Sequence, residues 1–153
     1  MKDNPKGKTS TKTAVQTELK NGSYGFVLPD PLLEWQDQRA GKPVIVLRSS
    51  RLGDHTISDD LGESLMTEFV KTIAASPAVP AALLLYGSAV CLVAPDSPFL
   101  DLLRKMQKGG CEILCCRISY AGLIDEDKPP VGQLADWVEL TDRMQKAKTV
   151  LWP

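Results

Sequence analysis

The sequence lacks any long hydrophobic run and carries almost no net charge. No stretch approaches the roughly 18 consecutive apolar residues that a membrane span requires, and residues 1–20 are polar, without the apolar segment of a secretory signal peptide. A formal net charge of −1 and a pI near 5.8 give no whole-domain electrostatic basis for binding nucleic acid. We therefore expect a cytoplasmic protein with no membrane span and no nucleic-acid partner.

The motifs of several catalytic and cofactor-binding classes are also missing. Histidine occurs once, at His55, and the four cysteines form no Cys-x2-Cys knuckles, so neither a structural zinc site nor a disulfide framework is indicated. The sequence contains no G-x-G-x-x-G, G-x4-G-K-[ST] or G-x-S-x-G segment, which argues against dinucleotide binding, a phosphate-binding loop and a nucleophile elbow. We therefore expect no metal and no cofactor.

Residues 1–42 differ from the rest of the chain and are predicted to form a polar tail followed by an extension arm. Lysine recurs among Thr, Ser and Gly over residues 1–20, a composition typical of a solvated tail. Residues 24–28 favour a short strand. The apolar cluster of Leu32, Leu33 and Trp35 is expected to pack on the domain or on a second subunit.

From Pro43 onward, apolar strands alternate with amphipathic helices, the pattern of an α/β domain over residues 43–153. Continuous apolar runs predict buried strands at 44–47, 81–86 and 111–116, and a final short strand at 149–152. Helices are predicted after Ser58, after Ser97 and at 131–145, and residues 89–94 are predicted to form a short helix or turn. The succession implies a mainly parallel sheet with helices on both faces. The helix positions predicted to face inward are Leu61, Leu65, Met66, Phe69, Val70, Ile73, Leu100, Leu103, Met106, Leu134, Trp137, Val138 and Met144.

Two adjacent cysteines, Cys115 and Cys116, close one of the predicted strands. In an open α/β sheet, reactive groups collect at the carboxyl ends of strands, and the start of a following helix favours thiolate. Alternatively, both cysteines pack as small hydrophobic side chains. Arg117 either lowers the thiol pKa or points to solvent. Gly87 and Ser88, which end the preceding strand, predict either an anion-binding nest or a tight turn.

The stretch from Val44 to Pro153 resembles the DsrE-like sulfur-relay proteins, and among them the C-terminal domain of the YedF-type proteins linked to selenium metabolism. The resemblance is carried by a succession of segments with matching order and spacing. These are VIVLRSSRLGD, DDLGESLMTEFV, LLLYGSAVCLV, FLDLLRKMQKGGCEILCC and ADWVELTDRMQKAKTVLWP.

The resemblance implies a three-layer α/β/α sandwich, assembly into a homo-oligomer, and a TusA-like sulfur carrier as a partner. It also implies a cysteine that carries sulfur as a persulfide just after the strand at 112–116. The family turn commonly reads S-C-G-T-C, which places Cys116 on the first cysteine and Ser119 on the second. The TusA-like domain that precedes this one in YedF-type proteins is not expected in residues 1–42.

We therefore predict sulfur carriage by Cys116, assisted or replaced by Cys115. Cys116 is expected to be the most accessible cysteine, close to Gly87, Ser88 and the loop at 48–56, because the carboxyl ends of parallel strands share one edge. Cys111 is expected to be buried or structural, and Cys91 is expected to pack on its short helix. Two alternatives remain open: a non-catalytic DsrE-like module that binds a ligand or a protein, and a thiol redox switch.

Overall fold

The computed structural model describes residues 15–18, 24–27 and 40–153. The chain divides into two compact units, Met1–Gln38 and Arg39–Pro153. In the first unit, β1 (Val15–Glu18) and β2 (Tyr24–Val27) pair as an antiparallel ribbon. The predicted cluster of Leu32, Leu33 and Trp35, like most of the predicted tail and arm, lies outside the described residues.

The second unit is built on a five-stranded sheet in which every pair of neighbouring strands is parallel. Apart from Glu112 at the start of β5, its central strands are apolar throughout, the composition of strands covered on both sides. The strands are β3 (Val44–Leu47), β4 (Ala82–Leu85), β5 (Glu112–Cys116), β6 (Gln133–Ala135) and β7 (Val150–Leu151). Their order across the sheet is β6-β5-β4-β3-β7.

Helices connect these strands and begin close to where capping residues predict them. The longest, α1 (Asp59–Ala75), starts after Ser58, whose Oγ accepts a hydrogen bond from the backbone N–H of Leu61 at 3.3 Å. A 3₁₀ helix (Gly87–Val93) follows β4 and forms the predicted short helix. The remaining helices are α2 (Leu100–Lys108), α3 (Arg117–Leu123) and α4 (Trp137–Lys146).

Side-chain alternation along the strands separates two buried layers. One layer packs alternate strand residues, including Leu85, Ile113 and Cys115, against α1, α2, the 3₁₀ helix and Tyr120 of α3. The strand residues of opposite parity, Leu114 and Cys116 among them, are also buried, although they do not belong to that layer. They face α4, because the Arg143 guanidinium of α4 binds the carboxylate of Glu112, which has the same parity. Helices therefore cover both faces, and the predicted α/β/α sandwich with a parallel sheet is confirmed.

The predicted helix at 131–145 was wrong in its first half, which forms β6. Gly132 has a φ of +78°, a conformation that breaks a helix, and Ala135 pairs with Cys116 in the sheet. The helix starts two residues after Ala135, where the backbone N–H of Asp136 donates to Glu139 Oε2 at 3.1 Å. This shift changes which side chains face inward.

The shifted helix exposes two residues that were predicted to be buried. Val138 is 80% exposed and Trp137 is 44% exposed, whereas Leu140 is buried. On α1, Leu61 and Leu65 are likewise exposed, and Met66 and Val70 form the buried stripe. In both helices, apolar residues occupy the exposed face next to the buried one as well as the buried face itself. Helical spacing alone therefore does not identify which of these residues face inward.

Candidate functional site

The candidate site is the carboxyl end of β5, where the two adjacent cysteines lie. Cys115 is fully buried and Cys116 is 1% exposed, and their side chains point to opposite faces of the sheet. The prediction that Cys116 is the most accessible cysteine was therefore wrong. The exposed thiol belongs to Cys91, which was predicted to pack on its short helix, and Cys111 is buried as predicted.

Cys115 lies in an environment that suppresses ionisation. Burial, and secondarily the neighbouring Cys116, raise the pKa of the Cys115 thiol from an ordinary 9.0 to about 12. Tyr120 lies in the same layer, with its hydroxyl buried and without a hydrogen-bond partner. Burial, followed by Cys115, raises the pKa of Tyr120 as well. Cys115 is therefore a protonated thiol near neutral pH, which makes it a poor nucleophile.

Cys116 lies on the opposite face of the sheet, the face to which Tyr86 belongs. Leu85 of β4 is aligned with Cys115, and Tyr86 continues β4 in an extended conformation. Tyr86 and Cys116 are therefore lateral neighbours on the same face. The Tyr86 ring packs against the Trp137 ring of α4, with centroids 5.3 Å apart and planes tilted by 59°. We call these two rings the aromatic pair.

The segments that follow three adjacent strands are hydrogen-bonded to one another at this edge. The backbone N–H of Gly87, after β4, donates to Ser119 Oγ of α3 at 2.9 Å. The backbone N–H of Ser50, after β3, donates to Ser88 Oγ at 3.1 Å. The strand ends predicted to converge are thus hydrogen-bonded to one another, and Ser88 and Ser119 act as their acceptors.

Gly87 is the position in this edge where a side chain does not fit. Its φ is +57°, in the left-handed region that favours glycine, and a Cβ atom would lie 2.6 Å from the carbonyl oxygen of Arg48. The turn after β4 therefore approaches the loop after β3 closely. Of the two predicted interpretations of Gly87 and Ser88, these contacts fit the tight turn.

Arg117 is directed at a carboxylate rather than at the thiols. Its Nε lies 3.0 Å from Asp136 Oδ1, and both side chains are more than half exposed. Asp136 immediately precedes α4, so this ion pair joins the start of α3 to the start of α4 on either side of Cys116. The contact therefore favours a structural role for Arg117, in which it fixes the start of α4 relative to the end of β5.

Cys91 lines a separate groove that the sequence did not indicate. The groove has a volume of about 630 Å³ and lies between the segment after the 3₁₀ helix and the end of α3. Asp96, Asp125 and Glu126 also line it. A short apolar segment gives no periodic signal for which of its residues faces solvent, and for this reason the exposure of Cys91 was missed.

Among the described residues, no cluster of three or more His, Cys, Asp or Glu side chains has the arrangement of a metal site. Within the same ranges, no helix has the length and apolar character needed to cross a bilayer.

Comparison with known proteins does not identify a family. No protein-family model matches the chain, and no curated protein matches it. The solved structures that match include a conserved protein of unknown function, BT1422 from Bacteroides thetaiotaomicron, at 15% identity with a TM-score of 0.49. The alignment covers 75% of this chain and 97% of that protein.

Proposed function

We propose that the chain is a cytoplasmic DsrE-like sulfur-relay protein in which Cys116 carries sulfur as a persulfide. The observation that carries the proposal is the position of Cys116, the last residue of β5, at the edge where the segments that follow β3 and β4 and the helix that follows β5 are hydrogen-bonded to one another. Reactive groups of parallel α/β sheets collect at this edge. The family resemblance also implies that Cys116 is the cysteine that carries the sulfur. Cys115 is unsuited to the role because its raised pKa keeps the thiol protonated.

The proposed reaction is a thiol–persulfide exchange. The Cys116 thiolate attacks the outer sulfur of a donor persulfide, the donor's sulfur–sulfur bond breaks, and the donor leaves as a thiolate. The transferred sulfur remains on Cys116 as a persulfide until an acceptor thiolate removes it by the same exchange, so no external oxidant or reductant is consumed. Because Cys116 is buried, the site has to open for each exchange.

Ser119 fits this chemistry as the residue in place of a second cysteine. A hydroxyl does not attack a persulfide as a thiolate does, so a sulfur held on Cys116 has no internal competitor at that position. The Ser119 hydroxyl also accepts the Gly87 N–H, which holds α3 against the turn after β4. We propose a homo-oligomer that exchanges sulfur with a TusA-like carrier. Light scattering that shows a monomer throughout the micromolar range would contradict the assembly.

A second candidate function is a non-catalytic DsrE-like binding module. The observation that favours it is the burial of both strand-end thiols, together with the raised pKa of Cys115. A redox switch through a Cys115–Cys116 disulfide has no comparable support, because the two side chains point to opposite faces of a strand.

Persulfide loading distinguishes sulfur carriage from the binding module. The protein is prepared with Cys91→Ser, which removes the exposed thiol, and is incubated with a persulfide donor before whole-protein and peptide mass spectrometry. Sulfur carriage predicts a gain of one sulfur atom on Cys116 and loss of that gain when Cys116→Ser is added. No gain in the Cys91→Ser protein would support the binding module. A gain confined to Cys115 would move the role to that residue.

A further inference from the structure

The aromatic pair of Tyr86 and Trp137 lies where it would control access to Cys116. Cys116 is aligned with Ala135 of β6, and Trp137 follows Ala135 by two residues at the start of α4. On the other side, Tyr86 is the lateral neighbour of Cys116 in the direction of β4. The ring contact between Tyr86 and Trp137 therefore bridges the β4 and β6 sides of the strand that ends in Cys116.

We infer that the aromatic pair is a cover for the Cys116 thiol, and that displacement of the Trp137 ring opens the site. The inference rests on the proposed function and deepens it by naming the side chain that regulates access to the sulfur-carrying thiol. A covered resting state suits a persulfide carrier, because a bound outer sulfur is open to attack by any thiolate that reaches it.

The two rings differ in how freely they can move. Tyr86 is half-buried, and its backbone N–H donates to the carbonyl oxygen of Leu47 at 3.1 Å, which continues the sheet ladder. Trp137 is 44% exposed and belongs to the first turn of a ten-residue helix. First turns open more readily than helix interiors, because their N–H groups lack intrahelical partners. We therefore expect Trp137, rather than Tyr86, to be the ring that moves when the site opens.

Two polar contacts hold the start of α4 in the closed position. Arg117 Nε contacts Asp136 Oδ1, and the Asp136 N–H donates to Glu139 Oε2. Arg117 is the residue after Cys116, so the ion pair connects the thiol's own strand end to the residue before Trp137. We assign Arg117 as a positioning residue for the cover.

Alkylation of Cys116 tests the cover without requiring sulfur transfer. In a Cys91→Ser background, the rate of modification by a small maleimide is measured for each cysteine by peptide mass spectrometry at neutral pH. Trp137→Ala is expected to speed modification of Cys116 by about tenfold, the factor that corresponds to the upper range for aromatic pairs. Trp137→Phe, which keeps a ring, should restore most of the protection.

The matched control is Val138→Ala, one residue further along the same helical turn. Val138 is 80% exposed and lies outside the aromatic pair, so its removal should leave the Cys116 rate unchanged. Cys111 and Cys115 serve as internal controls for global unfolding, because both are buried. The cover would be refuted if Trp137→Ala speeds the modification of all three buried cysteines equally. It would also be refuted if Cys116 is modified no faster in Trp137→Ala than in Val138→Ala.

Because alkylation is measured rather than persulfide loading, the cover and the proposed sulfur carriage are refuted by different results. If the protein loads no sulfur but Trp137→Ala speeds alkylation of Cys116, the cover is supported and the carrier function is refuted. If Cys116 loads sulfur at the same rate in the wild type and in Trp137→Ala, and its alkylation rate is also unchanged, the carrier function is supported and the cover is refuted.

Discussion

Substitution of Gly87 by alanine tests whether the tight turn after β4 holds the candidate site together. The φ of +57° costs a residue with a Cβ about 1 kcal/mol relative to glycine. The added Cβ would also lie 2.6 Å from the Arg48 carbonyl oxygen, a backbone atom that cannot rotate away. Relief of such an overlap costs about 1–3 kcal/mol. We therefore expect Gly87→Ala to lower the free energy of unfolding by about 3 kcal/mol.

Gly110→Ala separates the two contributions. Gly110 also has a positive φ, of +96°, but a Cβ atom there would meet no heavy atom within 4 Å. Only the backbone cost applies, so we expect a loss of about 1 kcal/mol. Both free energies are measured by urea unfolding followed by tryptophan fluorescence. If Gly87→Ala is no more destabilising than Gly110→Ala, the close approach between the turn and the Arg48 carbonyl is refuted.

Three further predictions, the first with a matched control, test the packing of the sheet and of the candidate site. Glu112→Gln should lower the free energy of unfolding by about 2 kcal/mol, because it removes the carboxylate from the bidentate pair with Arg143, in which both side chains are 15% exposed. As a control, Glu68→Gln, which removes the carboxylate from an exposed pair with Lys71, should lower it by less than about 0.5 kcal/mol. Equal losses in urea unfolding would contradict this prediction. Ser119→Ala should cost about 1 kcal/mol by removing the acceptor of the Gly87 N–H, and an unchanged urea midpoint would contradict it. Because burial raises the Cys115 pKa from 9.0 to about 12, the stability that this thiol contributes is complete below pH 9 and is lost as the pH rises to 12, by at most about 4 kcal/mol. The free energy of unfolding of Cys115→Ala should therefore fall less steeply between pH 9 and pH 12 than that of the wild type. An equally steep fall would contradict a buried neutral thiol at this position.

The sheet was predictable from the sequence because its central strands are unusually uniform. Apart from Glu112, the strands Val44–Leu47, Ala82–Leu85 and Glu112–Cys116 contain only apolar residues, and they are too short for an amphipathic helix. The strand β6 was missed because its three residues carry no such run. Its place is set by pairing with β5 and by the conformation of Gly132, neither of which is local to the pattern.

The position of the candidate site was predictable, but its exposure was not. The rule that parallel strand ends share an edge predicted that the turn at Gly87 and Ser88 lies beside the loop at 48–56 and the end of β5. The hydrogen bonds from Ser50 to Ser88 and from Gly87 to Ser119 join these segments. Exposure depends on what packs over the edge from distant parts of the chain. The sequence did not indicate the contact between Trp137 and Tyr86, on which the proposed cover of Cys116 rests.

The most direct measurement of the central claim is a load-and-discharge experiment on the Cys91→Ser protein. The protein is loaded with a persulfide donor, freed of the donor, and then mixed with an excess of a small acceptor thiol while its whole mass is followed. The proposed function predicts one added sulfur on Cys116 that leaves in a single exchange and reappears on the acceptor. A protein that gains no sulfur, or one whose added sulfur persists after Cys116→Ser, would contradict it.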